Sequence, residues 1–149
     1  MILSATGADP QPTLEVVPLG GLGEFGMNMM AVSWGDTLLL VDAGVMFPDP
    51  ELLGVDRVIP DLSYLEQRKA GATALVLTHG HEDHIGAVPH VLKYVDGPIH
   101  AMPLTLAFVE SRLDEHGIDA RDRLVAVRPR QVVKVGAFEV ELLRVTHSI

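Results

Sequence analysis

A histidine-rich hexapeptide follows directly on a short apolar stretch in the middle of the chain. Residues 73–78 predict a buried strand, and His79, His81, Asp83 and His84 follow it in the pattern His-x-His-x-Asp-His. In extended chain, alternate side chains share a face, so both of the first two imidazoles can reach one metal ion. The other two side chains follow where the chain turns into a helix. Three imidazoles in six residues would repel one another when protonated, and a bound metal removes that repulsion.

The alternative is purely structural, with Asp83 as the N-cap of the following helix and the histidines on the surface.

Composition narrows the choice of metal ligands. The 149 residues include seven histidines and no cysteine, which excludes disulfide scaffolds, thiolate zinc sites and cysteine nucleophiles. Any metal must therefore be held by His, Asp or Glu.

The net charge of −9 argues against a protein that simply coats nucleic-acid phosphates. The basic residues between Arg112 and Lys134 are interpreted as a solvated face. No apolar run approaches the roughly 18 residues of a membrane span, and residues 1–13 lack the features of a signal peptide. We expect a cytoplasmic protein without membrane association.

Strand and helix signals along the chain predict a mixed α/β or α+β fold. Residues 1–13 are expected to form a flexible tail, and Gly35-Asp36 a hairpin turn. Residues 21–26 fit G-x-G-x-x-G, but the following run is too short for the helix that a dinucleotide site requires. The predicted helices are 61–70 with Asp61 as N-cap, 84–95 and 103–116; the predicted strands are 14–19, 29–34, 37–41, 73–78, 98–101, 123–127, 131–135 and 137–145.

The hexapeptide resembles the signature of the metallo-β-lactamase superfamily of two-metal hydrolases. Its surroundings resemble one member of the β-CASP branch, the ribonuclease J family, in residues 20–29, 41–48, 53–56, 60–65 and 146–149. One departure is Met27, where that family usually has lysine. The resemblance implies a four-layer αββα sandwich, of which residues 14–149 form the N-terminal part and stop before the remaining metal ligands.

The resemblance also implies two groups of metal ligands, the first formed by His79, His81 and His147 and the second by Asp83 and His84. Asp42 is then an orienting residue that holds ligands by hydrogen bonds, and Asp42, Asp83 and His84 take part in catalysis. Without the resemblance, Asp42 is equally a turn residue after a strand and His147 a loop histidine. No metal role is assigned to the histidines at positions 90, 100 and 116. Two divalent metal ions are expected, with zinc favoured and manganese as its competitor.

The activity implied is that of a ribonuclease that degrades RNA from a 5′-monophosphate end and also cuts internally, in RNA maturation and decay. A homo-oligomer (dimer or tetramer) and association with RNA-decay proteins are implied as well. Because family members carry a bridging aspartate, a further histidine and an RNA-gripping domain beyond these residues, we expect the 149-residue chain to be inactive alone. The alternatives are a small-molecule hydrolase acting on a thioester or lactam, and a non-catalytic scaffold subunit.

Overall fold

The computed structural model describes residues 12–68 and 70–147. Most of the predicted tail lies outside these residues. The strands are β1 (Glu15–Gly20), β2 (Met29–Trp34), β3 (Thr37–Val41), β4 (Ala74–Val76), β5 (Ile99–Ala101), β6 (Leu124–Ala126), β7 (Val132–Val135) and β8 (Phe138–Glu141). The helices are α1 (Ser63–Glu66), α2 (Glu82–Ile85), α3 (Val88–Val91) and α4 (Pro103–Glu115), with short 3₁₀ turns at Leu92–Tyr94 and Arg121–Arg123.

Strands β1 to β6 form one sheet in sequence order. The first three are antiparallel, and β3 to β6 are parallel. Gly35 lies in the predicted β2–β3 turn with a φ of +56°, a conformation that glycine adopts without steric cost. The glycine-rich segment before Met29 leads into β2 and not into a helix, as expected for a segment that is not a dinucleotide fingerprint.

Both faces of the sheet are covered, which explains the continuous apolar character of β4. Leu75 packs with the helices in the larger hydrophobic cluster. Ala74 and Val76, on the opposite face, belong to a second cluster that includes Val135 of the β7–β8 hairpin and Leu142. The layers are therefore helices, sheet and hairpin, and the predicted mixed α/β class is confirmed.

Two of the helix predictions are wrong in extent. The predicted helix 84–95 is interrupted between α2 and α3, because the ring of Pro89 is incompatible with a continuous helix and would clash with the carbonyl of Ile85. The predicted helix 61–70 is reduced to α1, and its N-cap is Leu62. Asp61 instead accepts hydrogen bonds from the backbone N–H and the hydroxyl of Ser63, at 2.9 and 2.6 Å.

Helix α4 matches its prediction closely, beginning with a proline and ending before Gly117, whose φ is +67°. Strand β8 ends at Glu141, four residues earlier than expected, and residues 142–147 have no regular secondary structure. Within the described ranges, no helix has the length and apolar character needed to cross a membrane.

Candidate metal centre

Three histidine rings converge at the carboxyl end of β4. Nε2 of His79 lies 3.0 Å from Nδ1 of His81, and Nε2 of His147 lies 3.1 Å from each of these atoms. Nitrogens bound at about 2.0–2.1 Å to one tetrahedral zinc ion are about 3.3–3.4 Å apart. The three nitrogens therefore fit a single metal ion with a shift of a few tenths of an ångström. In the part of the chain that the structure describes, this is the only group of three or more such side chains with metal-site spacing.

A chain of hydrogen bonds fixes the tautomer of the first of these rings. The hydroxyl of Thr78 lies 2.8 Å from Oδ2 of Asp42, and a carboxylate can only accept, so the hydroxyl donates its single proton there. The Thr78 oxygen, 3.0 Å from Nδ1 of His79, must then accept from Nδ1–H. Nε2 of His79 is left with its lone pair directed at the other two histidines, the form that binds a metal.

His84 and Asp83 place a second pair of candidate ligand atoms beside the histidine cluster. Nδ1 of His84 donates to Oδ2 of Asp42 at 2.7 Å, which leaves Nε2 on the side of Asp83, 3.5 Å from its Oδ2. The ring centroids of His84 and His79 are 4.0 Å apart. Asp42 is buried, and its Oδ2 accepts from the Thr78 hydroxyl and from Nδ1 of His84, so it orients one ring of each predicted ligand group.

Asp42 has a φ of +59°, in the left-handed region that aspartate and asparagine tolerate better than most residues. Its backbone N–H donates to the carbonyl of Val76 at 2.9 Å, and its Oδ1 accepts from the backbone N–H of Thr78 at 2.8 Å. The end of β3 is thereby joined to the end of β4, where the histidine motif begins.

Asn28 is a site residue that the sequence interpretation missed. Its Nδ2 lies 3.0 Å from Oδ2 of Asp83 and 3.2 Å from Nε2 of His84. Its backbone N–H donates to the carbonyl of Asp83 at 3.0 Å. The spacing of 55 residues gives no local signal for this contact. Only the resemblance of the segment around Asn28 to ribonuclease J could have drawn attention to it.

The backbone after β3 holds these loops together. Ala43, Gly44 and Val45 donate to the carbonyls of His84, Asn28 and Glu82 at 2.8, 3.0 and 3.1 Å. A Cβ on Gly44 would lie 1.6 Å from the carbonyl oxygen of Asp83. The close approach of the motif to this segment therefore requires glycine.

The pKa values of the neighbouring residues His79 and His84 are shifted in opposite directions. Burial lowers the pKa of His79, and the nearby His84 and His81 lower it further. Burial also lowers the pKa of His84, but the hydrogen bond and charge of Asp42 and the charge of Asp83 raise it above its ordinary value. Because metal ions bind neutral imidazole, the lowered pKa favours the metal-binding form of His79, whereas the raised pKa of His84 favours its protonated form.

The structure brings together all six side chains that the sequence interpretation assigned to the site. The histidines at positions 90, 100 and 116 are not in the cluster. His90 and His116 contact each other edge to face, with centroids 5.4 Å apart. His100 is buried on β5, and its Nδ1 has no hydrogen-bond partner among the described residues.

Comparison with known proteins agrees with this architecture. Residues 22–148 match the profile of the metallo-beta-lactamase superfamily. Ribonuclease J of Helicobacter pylori is 43% identical over 138 residues, which are 92% of this chain and 20% of that protein. Ribonuclease J of a Synechocystis species is 44% identical over 138 residues, 91% of this chain and 22% of that protein. The chain thus spans about a fifth of the length of these relatives.

The fold is also similar to that of solved structures. An archaeal metallo-beta-lactamase superfamily protein from Sulfolobus tokodaii aligns with a TM-score of 0.51 and 19% identity, covering 90% of this chain and 56% of that chain. At this identity the likeness concerns the fold alone. The profile match over residues 22–148 shows that the chain belongs to the metallo-β-lactamase superfamily.

Proposed function

We propose that this chain forms the metal-binding part of a metal-dependent ribonuclease that hydrolyses RNA phosphodiesters. The observation that carries the proposal is the convergence of His79, His81 and His147 next to Asp83 and His84, in a chain similar to ribonuclease J. Imidazole and carboxylate ligands suit zinc, and manganese is the competitor. Residues 14–149 are then the N-terminal part of the catalytic domain.

When bound, two divalent ions at such a centre would lower the pKa of a water nucleophile and would offset the negative charge that develops on the phosphorus oxygens. The side chains prepare the centre by holding protons at defined atoms. Asp42 retains a proton on Nδ1 of His84 and, through Thr78, on Nδ1 of His79. Asn28 donates to Asp83 and limits the rotation of its carboxylate. The ligand atoms are therefore oriented before a metal ion binds.

The finer activity proposed is 5′-to-3′ exonuclease action from a 5′-monophosphate end, combined with internal cleavage, in RNA maturation and decay. We further propose a cytoplasmic homo-oligomer, dimer or tetramer, that associates with RNA-decay proteins. The 149 residues alone are proposed to be inactive. The residues here supply three ligands to one metal ion and two to the other.

The test uses the longest product that the gene encodes and end-labelled RNA carrying a 5′-monophosphate, with zinc or manganese added. We expect progressive release of mononucleotides. Asp83→Ala should abolish this activity, and Asp36→Ala, a matched change in the exposed β2–β3 turn, should retain it. A wild-type protein that holds two metal ions but leaves RNA intact would contradict the nuclease. In that case, hydrolysis of a thioester or lactam would identify a small-molecule hydrolase.

The 149-residue chain is assayed in parallel. Its inactivity would agree with the proposal that further ligands are needed. RNA cleavage by the purified chain, lost in His81→Ala, would contradict it.

A further inference from the structure

Helix α4 packs against the segment 79–84 that carries the histidine motif. It contacts this segment through two of its side chains, which lie one helical turn apart. Gly80 lies between two histidines whose side chains face the metal centre, so a side chain at position 80 would point the opposite way. A Cβ there would come within 2.6 Å of Cδ2 of Phe108. Arg112 is four residues further along α4 and on the same helix face. Its guanidinium donates to the carboxylate of Glu82 and, at 2.7 Å, to Glu115.

Glu82 is the one acidic residue of the motif that the metal centre does not use. It stands between His81 and Asp83, and its carbonyl accepts from the backbone N–H of Val45 and Gly86 at 3.1 and 2.8 Å. Its backbone is thus part of the metal-site scaffold, while its side chain is turned towards α4. The Arg112 side chain that holds it there is 16% exposed and the Glu82 side chain 41% exposed, so the ion pair lies at the edge of the α4 packing contact with its carboxylate open to solvent.

A carboxylate next to two metal-bound residues is a competing ligand, because zinc and manganese both accept carboxylate oxygens. We propose that Arg112 is a positioning residue, which holds the Glu82 carboxylate against α4 so that the motif presents Asp83 and not Glu82 to the metal. The inference rests on the proposed metal centre. It assigns to α4 a role in selecting the ligands, in addition to its packing against the core.

The test measures zinc stoichiometry and affinity by competition with a chelator, in the longest product that the gene encodes. Arg112→Leu is expected to weaken zinc binding about tenfold, the lower end of the effect of losing a group that orients a ligand. Arg112→Lys should restore most of the affinity, because it keeps the charge. The double variant Glu82→Gln/Arg112→Leu should return to within about twofold of wild type, since no competing carboxylate remains.

Arg121→Leu is the matched control. Arg121 also pairs with acidic residues of α4, Glu110 and Asp114, both at 2.6 Å, but its ion pairs among the described residues involve no residue of the motif. Its loss should leave zinc binding unchanged. If Arg112→Leu keeps wild-type affinity, or if the double variant binds as weakly as Arg112→Leu, Arg112 does not act through Glu82 and the inference is wrong.

Glu82→Gln, which preserves shape, tests the premise that Glu82 is not a ligand even where Arg112→Leu does not fold. It should retain both metal ions, whereas loss of one would make Glu82 itself a ligand and contradict the inference. Failure of the proposed metal centre is distinguishable, because the wild-type protein would then bind no zinc in the same assay.

Discussion

Replacing Asp42 by asparagine tests the hydrogen-bond network that orients both ligand groups. Both carboxylate oxygens accept hydrogen bonds, Oδ1 from the backbone N–H of Thr78 and Oδ2 from Nδ1 of His84, at 2.8 and 2.7 Å. An amide supplies only one such oxygen, so its NH₂ group must face a donor on one side. Asparagine tolerates the left-handed backbone of this position, so the substitution removes the acceptor and the charge while the fold is retained.

The expected loss of zinc affinity follows from the hydrogen bond to the Asp42 carboxylate that the substitution removes. A hydrogen bond to a charged group contributes about 1.5–3 kcal/mol, and about 1.4 kcal/mol corresponds to a factor of ten. Asp42→Asn should therefore weaken zinc binding about 10- to 100-fold, in agreement with the usual effect of removing an orienting residue. The assay is competition with a chromogenic chelator, with circular dichroism to check folding. Asp36→Asn, on the exposed β2–β3 turn, is the control.

A correctly folded Asp42→Asn protein with wild-type zinc affinity would refute this reasoning. It would mean that packing alone orients His79 and His84. The metal-free protein offers a second readout. Because the hydrogen bond and charge of Asp42 raise the pKa of His84 against the effect of burial, the pKa of His84 measured by NMR should fall in the variant.

Three further predictions concern the scaffold and stability. Gly44→Ala would place a methyl group 1.6 Å from the Asp83 carbonyl, and should lower the free energy of unfolding by about 3 kcal/mol or more; a wild-type melting temperature would contradict the close approach. Asn28→Ala removes a hydrogen bond to the Asp83 carboxylate and should weaken binding of one metal ion about tenfold, whereas equal loss of both ions would show a general disruption. Burial lowers the pKa of His100, so the unfolded chain binds more protons at this residue, and its contribution is present above about pH 6.5 and lost as the pH falls below that value. Unfolding of wild type and His100→Leu in urea at several pH values should show a shallower acid loss in the variant, and parallel curves would exclude His100 as a source.

Local sequence patterns predicted much of the fold and part of the candidate metal site. The β2–β3 hairpin and α4 follow from Gly35 and from the proline and glycine that bound the helix, since these residues act within a few positions. The interrupted helix after the motif shows where periodicity is insufficient. The spacing of its apolar residues suits one long helix, but Pro89 imposes a break. The segment is instead stabilised by packing of its apolar side chains against the sheet.

Long-range contacts explain why local sequence patterns did not predict the remaining site residues. His147 is 68 positions from His79, and nothing in its own neighbourhood indicates a ligand; it entered the predicted set through the family resemblance alone. Asn28 was missed for the same reason, because it meets Asp83 only where the backbone of residues 43–45 is hydrogen-bonded to both loops.

The most direct test of the account is anomalous diffraction at the zinc edge, from crystals of the protein grown with zinc. We predict two peaks, one bonded to His79, His81 and His147 and the other to Asp83 and His84. Peaks at other residues, or none at the end of β4, would contradict the metal centre.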